Sequence, residues 1–173
     1  KNFYHFLKKN NKKIFKLSSP FLEKTIFESC KIKKKFVERD EKEKKLRKIL
    51  NFVHTFCHAY EASLGYSKKL NHGEAVVLGM KTALNFSLKK KLIKEIDYNS
   101  INNHINSCNL PSKINKFFKL KDLNKILSFM TKDKKNTTKK ISLVLLKRIG
   151  SPVINQEYTK KSLGIFLKKE LSN

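Results

Sequence analysis

With 173 residues, 39% of them apolar and thirteen of them Phe, the chain has enough hydrophobic material for one folded domain, which excludes a disordered basic tail. Forty Lys+Arg against fourteen Asp+Glu set a formal net charge of +26, yet every basic residue but Arg39, Arg47 and Arg148 is lysine. Sequence-specific nucleic-acid readers lean on arginine for bidentate and stacked contacts that lysine cannot make, so a lysine field spread from Lys1 to Lys169 reads as a solvated surface that attracts polyanions without a specific nucleic-acid partner.

No apolar run approaches the ~20 residues of a membrane helix; the longest are of the order of Ala75 to Met80, so no membrane partner is expected. The first twenty residues carry Lys and Asn among scattered aromatics, unlike a secretory signal. Cys30, Cys57 and Cys108 are odd in number and form no C-x-x-C pair, which suits a reducing cytoplasm. The chain opens on Lys1 and not on Met, as a processed product or a fragment does.

In chain order, Phe3, Phe6, Leu7, Ile14 and Phe15 fall on one helical face. Ser18-Ser19-Pro20 then predicts a helix start, with Ser19 as cap and Pro20 in the first turn. Phe21, Leu22, Ile26, Cys30 and Val37 carry that helix to about Arg39, and a long helix is expected from Asp40 to Leu64, ended by Gly65. Further helices are expected over Gly73 to Lys91, Ser100 to Asn109, Leu123 to Met130 and Lys160 to Leu171. Ile141 to Leu146 is a β-prone run closed by Gly150-Ser151-Pro152, the signal of a small hairpin near 141–154. The expected fold is mainly α in a single domain, without G-x-G-x-x-G or a P-loop and hence without a nucleotide-phosphate cradle of its own.

On the expected 40–64 helix, Glu43, Arg47, Asn51, His54, His58 and Glu61 are spaced by four, four, three, four and three, a stripe roughly 80° wide at 100° per residue. A solvated face on this protein should be mostly Lys; a stripe of carboxylates, an arginine, an amide and imidazoles beside an apolar seam is the kind of surface on which ligands and metals are held. Downstream, His72 sits near the start of the next helix, and an antiparallel turn brings it back toward His54. Two imidazoles and a carboxylate would make an open zinc site; helix-packing histidines are the plainer alternative, and spacing alone does not choose between them. HTFCH is not H-E-x-x-H, so the zinc-protease motif is absent, and Cys57 points about 60° from His54 on a helix, which favours core packing over ligation.

The string RKILNFVHTFCHAYEASLGY from Arg47, followed by LNHGEAVVLGM, resembles the R-x-L-L-N-x-G-H-T-x-G-H-A-x-E and H-G-E-x-V-x-x-G-M signatures of the 3-dehydroquinate synthases. SCKIKKKFVERDEKE upstream and LPSKI, MTKDKKN and ISLVLLKRIG downstream follow in that family's order, so the resemblance covers nearly the whole chain. It implies the helical C-terminal domain of a shikimate-pathway enzyme that turns 3-deoxy-arabino-heptulosonate 7-phosphate into 3-dehydroquinate and phosphate with tightly held NAD and a divalent metal, Zn2+ or a substitute such as Co2+. A related sugar-phosphate cyclase, or a non-catalytic remnant, are the alternatives. Carried over by position, His54 and His72 match the histidine metal ligands, and Glu43 and His58 the proton-transfer positions. Lys33, Arg47, Asn51 and one lysine of the pair Lys134 and Lys135 match substrate-binding positions. Cationic and amide donors suit a substrate that carries a phosphate and a carboxylate.

Three departures stand out. The glycines that precede the two α-helical histidines in the signature are Val53 and Cys57 here, and the spacing from His54 to His72 is one residue longer through Asn71. The third metal ligand of the family, a glutamate, the lysine that follows it and the NAD-binding N-terminal domain all fall before Lys1. The resemblance therefore implies that these 173 residues alone hold two metal ligands of three and no NAD site, need an N-terminal domain of the same protein as partner, and do not turn over by themselves. Family members are commonly homodimers.

Overall fold

The computed structural model describes residues 2–43, 46–132 and 140–172. Seven α-helices and one two-stranded sheet are found among them: α1 (Asn2–Phe15), α2 (Phe21–Arg39), α3 (His54–Ser63), α4 (His72–Lys89), α5 (Glu95–Ser107), α6 (Leu123–Lys132), β1 (Lys140–Arg148), β2 (Ser151–Thr159) and α7 (Lys160–Ser172). The chain divides into two compact units, Lys1–Leu50 and Asn51–Asn173.

In the first unit, α1 and α2 meet through Phe6 and Phe21, whose rings stack at 6.4 Å, with Lys13 Nζ 4.3 Å from the Phe21 ring centroid. Neither helix buries a residue. Pro20 itself occupies the N-cap of α2 without a side-chain cap; the Ser18 carbonyl accepts the N–H groups of Phe21 and Leu22 at 3.0 and 3.1 Å, so the expected Ser19 cap is not used. The expected helix from Asp40 to Leu64 does not form. Asp40 caps α2, its Oδ2 accepts the Arg47 backbone N–H at 2.9 Å, and the Arg47 guanidinium donates to the Glu41 carbonyl at 2.8 Å. A 3₁₀ turn over Leu46–Asn51 follows, and Val53, at φ 100° and ψ −20°, stands outside any right-handed helix just before α3 begins. The six-residue stripe is thus broken, and of its members only His54, His58 and Glu61 share a helix.

The second unit holds the core. Phe56, Cys57 and Tyr60 of α3, Leu78 and Phe86 of α4, Ile126 and Met130 of α6, and Leu163 and Leu167 of α7 converge in one cluster. The sheet joins it through Ile141, Leu143 and Leu145, the alternate inward residues of β1, which pairs antiparallel with β2 in the expected hairpin, Gly150 taking the turn at φ +77°. The Tyr60 hydroxyl lies 2.8 Å from Thr82 Oγ1, and Ser87 on α4 accepts the Leu146 backbone N–H of β1 at 3.1 Å. A core hydroxyl so paired avoids the cost of an unsatisfied buried polar group.

Two backbone details set α3 against α4. A Cβ built on Gly79 would stand 3.1 Å from the Cys57 nitrogen and 3.2 Å from the Val53 carbonyl oxygen, so α4 approaches the opening turn of α3 as closely as a glycine permits. Gly79→Ala has backbone, not a flexible side chain, to displace. Its gain in helix propensity of about 1 kcal/mol offsets only part of an overpacking cost of ~1–3 kcal/mol; a net loss of up to about 2 kcal/mol in urea unfolding is expected. The second detail is Val53, a buried β-branched residue held at a backbone angle that glycine tolerates and valine resists. Relief of roughly 1–3 kcal/mol of strain offsets the lost side-chain burial of ~1.5–3 kcal/mol. Val53→Gly is therefore expected to unfold within about 1 kcal/mol of the parent, and Val53→Ala, which loses packing while keeping the strain, is expected to be the less stable of the two. The opposite order of denaturation midpoints would remove the strain argument.

Candidate metal and substrate site

The polar centre of the second unit is built on the two ends of the α3–α4 corner. Gly65, at φ +63°, ends α3 as expected, with its N–H on the Ala62 carbonyl at 3.1 Å and that of Tyr66 on the Glu61 carbonyl at 2.9 Å. The chain then turns through Leu70 into Asn71, the N-cap of α4, whose backbone N–H is accepted by the Glu74 carboxylate at 2.9 Å. The glutamate of the HGE segment thus serves the helix start, and the extra residue of the His54–His72 spacing is this N-cap. His72 becomes the first residue of α4 and faces back onto the last turn of α3.

There it meets Glu61. His72 Nδ1 lies 2.8 Å from Glu61 Oε1; the carboxylate accepts, so Nδ1 carries the proton, and Nε2 is the nitrogen that holds the lone pair in the neutral form of the ring. The His72 side chain is 69% exposed and that of Glu61 only 12%, so an exposed ring is held by a largely buried carboxylate. The other oxygen, Oε2, accepts the Cys57 thiol at 3.6 Å. Burial first, then the Glu61 charge and this hydrogen bond, push the Cys57 thiol up to about 12. A groove of about 240 Å³ opens beside the pair, lined by Glu61, Tyr66, Lys68, Asn71 and His72 among others.

One end of α3 carries the second imidazole. His54 is its first residue, and His54 Nδ1 lies 2.7 Å from Asn51 Oδ1; the amide oxygen accepts, which again leaves Nε2 as the basic nitrogen. The His58 ring stacks on it one turn later, centroids 5.1 Å apart and planes 8° from parallel, and is exposed. Among the described residues, the ligand atoms of Cys57, Glu61 and His72 come within 4.8 Å of one another. Glu61 is a participant to which the sequence gave no individual role, its signal being its place on the mixed stripe three residues past His58, and Cys57, expected to pack in the core, also reaches the Glu61 carboxylate. Lys33, exposed on α2, and Glu43 and Arg47, in the segment after it, belong to the first unit, whereas Asn51, His54, His58 and His72 belong to the second. Lys134 and Lys135 lie outside the described residues.

The family described as 3-dehydroquinate synthase C-terminal matches residues 1–136. The chain belongs to that family. The 3-dehydroquinate synthase of Pelagibacter ubique is 61% identical over 172 residues, which are 99% of this chain and 47% of that protein. The 3-dehydroquinate synthase of Bradyrhizobium diazoefficiens is 36% identical over 175 residues, 98% of this chain and 46% of that protein. The chain thus spans about half the length of the curated synthases it matches. Among solved structures, the 2-epi-5-epi-valiolone synthase ValA of Streptomyces hygroscopicus, with NAD+ and Zn2+ bound, superposes with a TM-score of 0.80 at 16% identity, over 99% of this chain and 46% of that one. A 2-deoxy-scyllo-inosose synthase complexed with carbaglucose-6-phosphate, NAD+ and Co2+ superposes at 0.68 with 24% identity, over 88% of this chain and 42% of that one. At such identities these two speak for the fold alone, a helical domain with its hairpin.

The synthase-family domain carries donors that fit a borderline divalent metal. Neutral imidazole nitrogens are among the commonest ligands of zinc and cobalt, and a ligating histidine characteristically donates its other N–H to a carboxylate or carbonyl. Both His54 and His72 are held in that way.

Proposed function

We propose that this chain is the C-terminal, metal- and substrate-binding half of a cytoplasmic 3-dehydroquinate synthase, a lyase of aromatic amino acid biosynthesis that closes 3-deoxy-arabino-heptulosonate 7-phosphate to 3-dehydroquinate with loss of phosphate. The observation that carries the reading is the pair of imidazoles, His54 and His72, each pinned at Nδ1 by an acceptor, on the two signature segments of the family. In this reading residues 1–173 act as one helical domain, and its partner is an NAD-binding N-terminal domain of the same protein, in a homodimer.

His54 and His72 would hold the divalent metal, with a third ligand from outside these residues. When bound, the metal supplies Lewis-acid polarisation of substrate hydroxyls and NAD supplies reversible hydride acceptance. The rest is the chain's own work. Lys33, Arg47, Asn51 and one of Lys134 and Lys135 bind the phosphate and carboxylate of the substrate through charged and amide donors. The net charge of +26 draws the anion in. Glu43 and His58 move protons, and the exposed His58 ring can reach substrate without leaving its stack on His54.

The test is turnover of the product of the whole reading frame that contains these residues. With NAD and Zn2+ or Co2+, phosphate release and 3-dehydroquinate formation from the heptulosonate phosphate are expected, with loss on chelation. The isolated 173 residues are expected to show neither. Turnover of another sugar phosphate in its place would assign a different cyclase, and no turnover of any would assign a remnant.

A further inference from the structure

Glu61 is an unusual residue for this protein: a carboxylate only 12% exposed in a chain crowded with lysine, whose partners among the described residues are an imidazole and a thiol. Burying a carboxylate is costly unless its oxygens are satisfied, and here each is, Oε1 by His72 Nδ1–H at 2.8 Å and Oε2 by Cys57 Sγ–H at 3.6 Å. Resting on the metal role of His72 proposed above, we propose that Glu61 is the positioning residue of this site. It selects the Nδ1–H tautomer of His72, fixes the plane of an otherwise exposed ring with Nε2 turned outward, and is itself steadied by Cys57, which stands where the family signature has glycine.

The same three side chains could instead hold a metal among themselves, and the geometry argues otherwise. Two donors sharing a tetrahedral zinc at ~2.0–2.1 Å stand about 3.3 Å apart, whereas Glu61 Oε1 and His72 Nδ1 are 2.8 Å apart, a hydrogen-bond separation with the proton between them. Cys57 is fully buried, with its thiol donated to Glu61 Oε2 at 3.6 Å and the ligand atoms of all three side chains within 4.8 Å of one another. The platform is rigid where the relay needs it: Cys57 and Glu61 lie on successive turns of α3, and α4 is set close against that helix at Gly79. A carboxylate behind a histidine ligand raises its basicity and holds its orientation, and loss of such a partner typically lowers metal affinity ~10–100-fold.

The experiment uses the product of the whole reading frame, with Co2+ and Zn2+ as probes in chelator competition, cobalt absorption spectra, and long-range 1H–15N NMR of the histidine tautomers. Glu61→Met keeps length and burial but removes the acceptor; Glu61→Ala replaces it should the methionine variant not fold, and Glu61→Gln keeps an acceptor oxygen. The expected result is a ~10–100-fold loss of Co2+ and Zn2+ affinity in Glu61→Met, loss of the His72 Nδ1–H tautomer in the metal-free protein, and recovery to within ~10-fold of the parent in Glu61→Gln. Cys57→Ala is expected to lose less than Glu61→Met, with no sulfur-to-cobalt charge-transfer absorption in the parent.

Unchanged affinity and tautomer in Glu61→Met, alongside a loss of affinity in His72→Ala, would overturn the positioning role. Sulfur-to-cobalt absorption that disappears in Cys57→Ala would overturn it too, by making Cys57 a ligand. Full affinity in His72→Ala would overturn the metal role of His72 on which the inference rests.

Discussion

His54→Ala, in the product of the whole reading frame, is expected to lower Zn2+ affinity by ~100-fold or more and to remove turnover, whereas His58→Ala is expected to keep the metal and lose ~10²–10⁴-fold in kcat. The two rings stack 5.1 Å apart on the same face of α3, so their chemistry is set by their neighbours and not by their place on the helix. His54 Nδ1 lies 2.7 Å from Asn51 Oδ1, which leaves Nε2 as the nitrogen that would take a metal in the proposed role. His58 is the exposed ring of the pair, suited to exchanging a proton with substrate or water. Metal content after dialysis, read beside kcat, separates the two roles. Equal metal loss in both variants would mean that the stacked pair acts as one ligand unit.

Phe86→Ala is expected to cost about 3–5 kcal/mol, a large share of the 5–15 kcal/mol that holds a typical domain. Phe86 is fully buried on α4, meets Tyr158 of β2 edge-on at 4.8 Å and Phe166 of α7 at 4.8 Å, and so joins helix, hairpin and C-terminal helix at one ring. No small movement of one element refills the space, because three elements line it. Chemical unfolding, followed by far-ultraviolet circular dichroism, gives the number. A loss under ~1 kcal/mol would show that the hairpin and α7 contribute little to the fold of the second unit.

How far the sequence could be read is clearest at particular residues. Gly65 and Gly150 end α3 and turn the hairpin as their types predict, since both take positive φ. The β-prone run from Ile141 to Leu146 forms the expected strand, whose alternate residues Ile141, Leu143 and Leu145 turn out buried, and the helix expected over Gly73 to Lys91 forms as α4, with Ala75, Leu78, Ala83 and Phe86 on its buried face. The segment from Asp40 to Val53 misleads for an identifiable reason. Its residues have helical spacing and helix-forming types, but Asp40 captures the Arg47 N–H over seven residues, and Val53 takes a backbone angle that no propensity assigns to valine. The glycine of the family signature would have announced the break; valine conceals it.

The candidate site divides in the same way. The family and its two histidine segments were legible in the linear order of residues, because a motif is a local property carried by consecutive turns, and the candidacy of the imidazoles as ligands followed from that resemblance and not from spacing. The tautomers were not, because they depend on which acceptor a fold delivers to Nδ1: Asn51 for His54, and for His72 a glutamate eleven residues before it on another helix. Cys57 reads in sequence as a core residue and is one, yet only the packing of α3 shows its thiol on the carboxylate that holds His72. By itself the sequence determined the hairpin, the family and the helices other than the one expected from Asp40 to Leu64, which are encoded in side-chain type and period, and through the family it named the candidate ligands. The tertiary structure alone decided where the long helix breaks and which groups hold the imidazoles, because hydrogen bonds and backbone strain of this kind exist only once distant segments are packed together.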